Sequence, residues 1–308
     1  MLKLDEIQKR LLLEVADLHK VPEGAYNIRS NGESAGRVST ENIEIVPRED
    51  GQGLTVNIKP GTRNESVHIP VVMTQSGLKE VVYNDFNIGE GSDVTIVAGC
   101  GIDNCGNQDS EHDGIHRFYV GKGARVRYVE KHYGSGNGKG KRILNPGTEV
   151  YMEEDSSMEM EMVQIKGVDD TNRTTTCELK SGASLVIRER LMTHGDQKAL
   201  SKYDVRMDGE NSSADVVSRS VARDDSYQKF DAVLVGNAPC SGHTECDAII
   251  MDRGRILAVP GLEANDLDAA LVHEAAIGKI AGEQIIKLMT LGLTEAEAEE
   301  QIINGFLK

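Results

Sequence analysis

From about Ser39 onward the chain alternates apolar and polar residues in short runs. Ile43–Ile45, Leu54–Ile58 and Val67–Ile69 follow a period of two, the pattern of strands that bury one face. A longer phrase then recurs. Ile88-Gly-Glu-Gly-Ser-Asp-Val-Thr-Ile-Val97 matches Val120-Gly-Lys-Gly-Ala-Arg-Val-Arg-Tyr-Val129 position for position, and weaker copies begin at Met152, Leu179 and Met207. The starts are spaced by about 27 to 32 residues, a step that marks stacked repeats. Each copy is a turn of Gly, Ser, Asp or Asn followed by a strand pattern. One such unit cannot bury its apolar face alone, but a stack can. Met158-Glu-Met-Glu-Met162 is the most regular case, with methionines inward and glutamates outward. The pattern predicts a mainly β chain with a β-solenoid core over 39–260. An ordinary β-sandwich of similar hairpins is the alternative.

The ends read differently. Leu4, Ile7, Leu11, Val15 and Leu18 recur at helical spacing and predict an amphipathic helix. An irregular connection over Pro22–Gly36 completes an N-terminal segment, 1–38. Past about Leu257 the alternation fades, and Val259-Pro-Gly261 reads as a stop. Helices are expected over Asp268–Ile280, Ala281–Leu291 and Thr294–Phe306, making 261–308 a helical subdomain. Thr294 and Glu297 form a capping-box signature, and Gly292 sits where a helix C-terminus expects it.

Composition narrows the function classes. In 308 residues the net charge is −16, which argues against nucleic acid or an anionic membrane as a partner. Tryptophan is absent and aromatics are 4%, so base-stacking platforms are not expected. The N-terminus lacks the apolar core of a signal peptide, and the five cysteines are an odd count. Both point to a reducing cytoplasm, where cysteine is buried, reactive or a ligand.

Local chemistry offers three places. Cys246 and His273 flank the expected change from strand to helix; each has an ordinary core reading as well as a ligand reading. His243 precedes Cys246 by three residues and faces the other way in a strand. The densest cluster is Cys100, Cys105, His112 and His116, in loop-like sequence. Its spacing, Cys-x4-Cys-x6-His-x3-His, fits no standard zinc motif, so a second metal or thiol site and a glycine-rich turn both stay open. Gly134–Arg142 is glycine-rich and basic but lacks the spacing of a phosphate loop, and reads as a flexible hairpin tip. Gly-x-Ser-x-Gly and His-Glu-x-x-His are absent, so the usual hydrolytic chemistries find no support.

Near the C-terminus many separate elements fall in a familiar order. Thr244-Glu-Cys-Asp247, Pro260, Leu271-Val-His-Glu-Ala275, Ile280, Glu283-Gln284, Leu288-Met289, Gly292-Leu293, Glu297-Ala298 and Ile303-Asn-Gly-Phe306 resemble the C-terminal part of the SufB/SufD family. That resemblance implies a right-handed parallel β-helix with helical ends, in a dimer that serves as scaffold for iron–sulfur cluster assembly. It also implies that the C-terminal helices, with Glu283, Gln284, Leu288, Leu293 and Phe306, bind SufC, an ABC-type ATPase. Carried over by position, Cys246 matches a SufB cysteine implicated in cluster assembly, and His273 a histidine implicated in both paralogues. Glu274 matches an acidic neighbour in SufB. Val272 stands where SufB can have a further acid. The short chain with both Cys246 and His273 looks like a compact, archaeal-type SufB form, able to pair with itself or with a SufD-type partner.

The expected role is therefore an assembly scaffold and not an enzyme. It would hold a transient [4Fe-4S] cluster and pass it to apo-proteins or carriers, with ATP hydrolysed by the partner. Two other readings compete: a SufD-like structural subunit without its own cluster, and a metal-dependent enzyme using the Cys100–His116 loop.

Overall fold

The structure is a computed structural model and describes residues 4–308, so the first three residues of the segment read as 1–38 lie outside it. Strands wind into a β-solenoid of about 8 turns, with helices at both ends. Each turn takes one strand from each of two sheets. In chain order the turns are β4 (Gly53–Ile58) with β5 (Arg63–Met73), β6 (Lys79–Ile88) with β7 (Asp93–Asp103), and β8 (Ser110–Val120) with β9 (Arg125–Ser135). Next come the broken strand β10 (Arg142–Leu144) and β11 (Gly147–Met152) with β12 (Ser157–Lys166), then β13 (Asp170–Leu179) with β14 (Ser184–Thr193). The last turns are β15 (Lys198–Met207) with β16 (Ser212–Ala222), β17 (Tyr227–Gly236) with β18 (Cys240–Ile250), and β19 (Arg255–Ala264) with β20 (Ala269–Gly278). From β4 and β5 onward, neighbouring strands in each sheet are parallel.

The recurring phrase marks one corner of the coil. Ile88, Val120, Met152, Leu179 and Met207 stand in one column of the sheet, with Ile58 and Gly236 extending it. Just after them the backbone enters the left-handed region at Gly61, Gly91, Gly123, Asp155, Gly182 and Asn211. The N–H there donates to a carbonyl one turn on, as in Gly91 to Lys122, Gly123 to Glu154 and Asn211 to Pro239. Only Gly, Asn and Asp take that conformation cheaply, which is why the phrase carries them. Met158, Met160 and Met162 are buried and Glu159 is exposed, as the alternation requires.

The N-terminal helix α1 (Glu6–Ala16) lies outside the coil and packs on β5, β7 and β9. Its buried side chains are Gln8, Leu11, Leu12, Val15 and Ala16, while Ile7 is exposed. Gly99 makes the approach possible: a Cβ there would stand 2.3 Å from the Val15 carbonyl oxygen. The connection expected over Pro22–Gly36 is instead mostly hairpin, β1 (Ala25–Ser30) and β2 (Glu33–Val38), which closes one end together with β3 (Ile43–Pro47). Gly134–Arg142 is no free hairpin tip. It packs on the corner loop one turn before it, with Gly138 N–H donating to Asn104 and Gly140 N–H to Gly106.

The largest correction concerns the C-terminal end. Ala269–Gly278 is a strand, not part of a helix over Asp268–Ile280, so the solenoid continues past position 260 to Gly278. Its outward residues Ala270, Val272 and Ala276 are apolar or small, which hides the period of two, and the alanines favour helix until pairing with β18 overrides them. Pro260 does not end the strand region. It sits inside β19, which among the described residues pairs only with β17 and so tolerates a residue without an N–H. Helices α2 (Gly282–Thr290) and α3 (Glu295–Phe306) follow, packed on each other, and Thr294 and Glu297 do form the capping box. Among the described residues no helix is long and apolar enough to cross a membrane.

Candidate functional site

Cys246 lies on β18 and His273 on β20, the last two strands of one sheet. Alternation along β18 turns Thr244, Cys246 and Ala248 inward and His243, Glu245 and Asp247 outward. In the parallel register Thr244 faces His273, Glu245 faces Glu274 and Cys246 faces Ala275. His273 therefore points into the coil, where its Nδ1 is 2.6 Å from Thr244 Oγ1. Cys246 and His273 are diagonal neighbours on the same inner face, with Cα positions about 8 Å apart from strand spacing and rise. Glu274 belongs to the opposite face. The sequence reading grouped these three residues; the sheet separates them two and one.

The Cys246 thiol is fully buried at the last turn but one. Burial, reinforced by the negative charges of Glu189 and Asp247, pushes it up to about 12. In this arrangement it is a neutral thiol and not a nucleophile. Beyond it stands only β20, whose Ala275 is exposed, so a shift of one edge strand would open the sulfur to solvent.

The Cys100–His116 cluster is also rearranged. Cys100 is in β7, His112 and His116 are in β8, and only 104–109 between them is loop. All three point inward and are buried, whereas Cys105 is exposed at the corner with its Sγ 3.2 Å from Asp103 Oδ1. Cys105 is thus separate, and His132 of β9 takes its place, standing opposite Cys100 in register. Burial opposes a Cys100 thiolate, but His112 and His132 outweigh it and bring the thiol down to about 7. Burial likewise opposes charge on His112, yet Cys100 and Glu80 raise it to about 10. His112 Nδ1 is 3.0 Å from Glu80 Oε1, and Glu80 Oε2 accepts from Arg29 at 2.8 Å. At His116 burial, with the charges of His112, His132 and Arg173, outweighs Glu130 and takes it down to about 4, so it is a neutral imidazole, with Nδ1 2.8 Å from Tyr128 OH.

Five further groups, unmarked in the sequence reading, connect the two thiols through the interior. His132 Nε2 is 3.5 Å from Glu130 Oε1, and Glu130 is ion-paired to Arg173. Arg173 Nε is 3.8 Å from Glu189 Oε1, and Glu189 Oε2 accepts from Ser218 Oγ at 2.7 Å. Ser218 stands opposite Cys246. The signal that could have found them is the repeat step: Glu80 and His112, or His132 and Gln164, are 32 residues apart and meet across neighbouring turns.

Residues 74–306 match the family described as SUF system FeS cluster assembly, SufBD core domain. A protein of Methanothermobacter thermautotrophicus named iron-sulfur cluster assembly SufBD family protein is 29% identical over 261 residues, covering 83% of this chain and 62% of its own length. One of the same name from Archaeoglobus fulgidus is 29% identical over 277 residues, covering 87% of this chain and 71% of its own. A Pyrococcus horikoshii relative is 26% identical over 292 residues, covering 91% and 86%. The chain thus spans less than two thirds of the Methanothermobacter protein.

Proposed function

We propose a function from one premise: the chain belongs to the SufBD family and takes part in iron–sulfur cluster assembly. On that footing it is a scaffold on which a cluster is built and from which it is passed on. The carrying observation is that Cys246 and His273 share the inner face of the last two strands, at the open end of the solenoid. One thiolate and one imidazole are too few to hold a cluster, so one chain offers half a ligand set. A second copy, or a paralogue, joined at this end would supply the rest. Mixed sulfur and nitrogen donors hold a cluster less firmly than four cysteines, which suits a site that must release it. The retained Cys246 disfavours a purely structural subunit.

Assembly is then helped by a movement that opens the surroundings of Cys246, because burial and the charges of Glu189 and Asp247 push the thiol up to about 12 and make loss of its proton to iron or to a sulfur donor costly. The α2–α3 pair sits directly after β20 in the chain and carries an exposed apolar set, Ile286, Met289 and Leu291. A SufC-type ATPase gripping this pair, with Glu283, Gln284, Leu288, Leu293 and Phe306 at or near the contact, would act on the strand that covers the sulfur.

Two experiments test the reading. Anaerobic reconstitution with iron and sulfide should give cluster absorption in wild type and in Cys105→Ser, and none in Cys246→Ser. An unchanged spectrum in Cys246→Ser, or no cluster in any form, would overturn the proposal. Removing 279–308, which leaves β20 in place, should abolish capture of a SufC-type ABC ATPase; equal capture would dismiss the helices as its docking element.

A further inference from the structure

We propose that His243, Glu245 and Glu274 form a site for a single divalent transition-metal ion on the outer face of the solenoid, separate from the Cys246–His273 pair inside. One ligand atom from each residue lies within 4.8 Å of those of the other two, close enough to share one ion. The backbone sets this convergence. Residues 243 and 245 alternate onto the same outer face of β18, and Glu274 is the direct register partner of Glu245 on β20.

The imidazole has a carboxylate behind it. His243 Nδ1 is 2.9 Å from Asp215 Oδ1 on the neighbouring strand β16, and with the Nδ1 proton donated to that carboxylate Nε2 would be the ring atom that ligates. A carboxylate behind the ring is the usual support of a metal-ligating histidine. The charge is also right. Among the described residues no lysine or arginine forms an ion pair with Glu245 or Glu274, and Arg188 reaches only Asp215, at 4.0 Å. Glu245 also shares a hydrogen bond with Asp247, which together with burial raises its pKa, while Arg219 pulls the other way; with Glu274 the carboxylates outnumber that one guanidinium, and a divalent cation would offset the excess. One nitrogen and two oxygens, with no sulfur, favour Fe2+, Mn2+, Co2+ or Zn2+ over a soft ion such as Cu+. Three protein ligands leave positions for water, so the ion stays exchangeable. Identifying the physiological ion as ferrous iron rests on the scaffold reading above; the site itself does not.

Anaerobic titration of the full chain with Co2+, followed by calorimetry and visible absorption, tests the site. Wild type and Cys246→Ser should bind one Co2+ alike, with ligand-field bands and no thiolate charge-transfer band. Glu245→Gln/Glu274→Gln should lose binding at least about 100-fold, and Asp215→Asn should weaken it by about 10- to 100-fold, the usual effect of removing such a support. These side chains lie on the outer face, and matching melting curves would confirm that the variants fold. Unchanged affinity in the double variant, or a charge-transfer band that Cys246→Ser removes, would overturn the proposal. No cluster is formed in this titration, so its failure leaves the reconstitution result standing, and the converse holds.

Discussion

Replacing Arg173 by methionine is expected to lower stability by about 3–5 kcal/mol, the cost of stripping the partner from a buried charge. Arg173 is 3% exposed and lies between two carboxylates, Glu130 and Glu189, that are also buried. Glu189 would keep the hydroxyls of Ser201, Tyr203 and Ser218, at 2.5, 2.9 and 2.7 Å. Glu130 would keep Tyr128 OH at 3.2 Å and the His132 ring. Hydroxyls soften the loss of a guanidinium in a dry interior but do not supply its charge. The companion variant Arg173→Met/Glu130→Gln/Glu189→Gln removes the stranded charges and should recover a large part of the deficit. Chemical denaturation followed by circular dichroism reads both. An unchanged midpoint in Arg173→Met would mean that water already reaches this part of the coil.

The two buried thiols of the interior chain should titrate far apart. Cys100 is brought down to about 7 and Cys246 is pushed up to about 12, so near neutral pH their thiolate fractions differ by about five orders of magnitude. The sign follows from the surroundings: burial pushes both thiols up, His112 and His132 outweigh it at Cys100, and the charges of Glu189 and Asp247 add to it at Cys246. Thiolate ultraviolet absorbance should rise in a step near neutrality that disappears in Cys100→Ser and survives in Cys246→Ser. His112→Gln, which deletes the larger of the two imidazole contributions, should move that step toward higher pH. A neutral step that persists in Cys100→Ser would place the low thiol elsewhere.

The solenoid was legible because its evidence repeats. Six corners take a left-handed residue, and the inner columns demand alternation, so the phrase beginning at Ile88 reappears with Gly, Asp or Asn in place. What failed was local reading where context decides. Ala269–Gly278 carries small and apolar residues on both faces, and β pairing with β18 outweighs its helical preference. Cys100 to His116 looked like one loop because glycines are dense there, yet Gly99 and Gly101 serve the approach of α1 to a regular strand. The interior ion chain escaped for a different reason. Glu130, Arg173 and Glu189 sit in alternating positions that a strand pattern assigns to apolar side chains, and only the register between turns shows that they meet. His243 was seen to face away from Cys246, but its outer partners depend on the register of β20, which the helix reading had removed.

The four terminal strands differ in what they permit. β2 carries a register break on its partner strand with Glu33 and Arg37, β3 is short and ends in Pro47, and β19 contains Pro260. All three are poor templates for a further strand. β20 runs ten residues without proline, and among the described residues nothing pairs with its outer edge. A chain that grew at one end only could not polymerise: a second copy that met β20 through its own β20 would use up both free edges, and the pair would close at two.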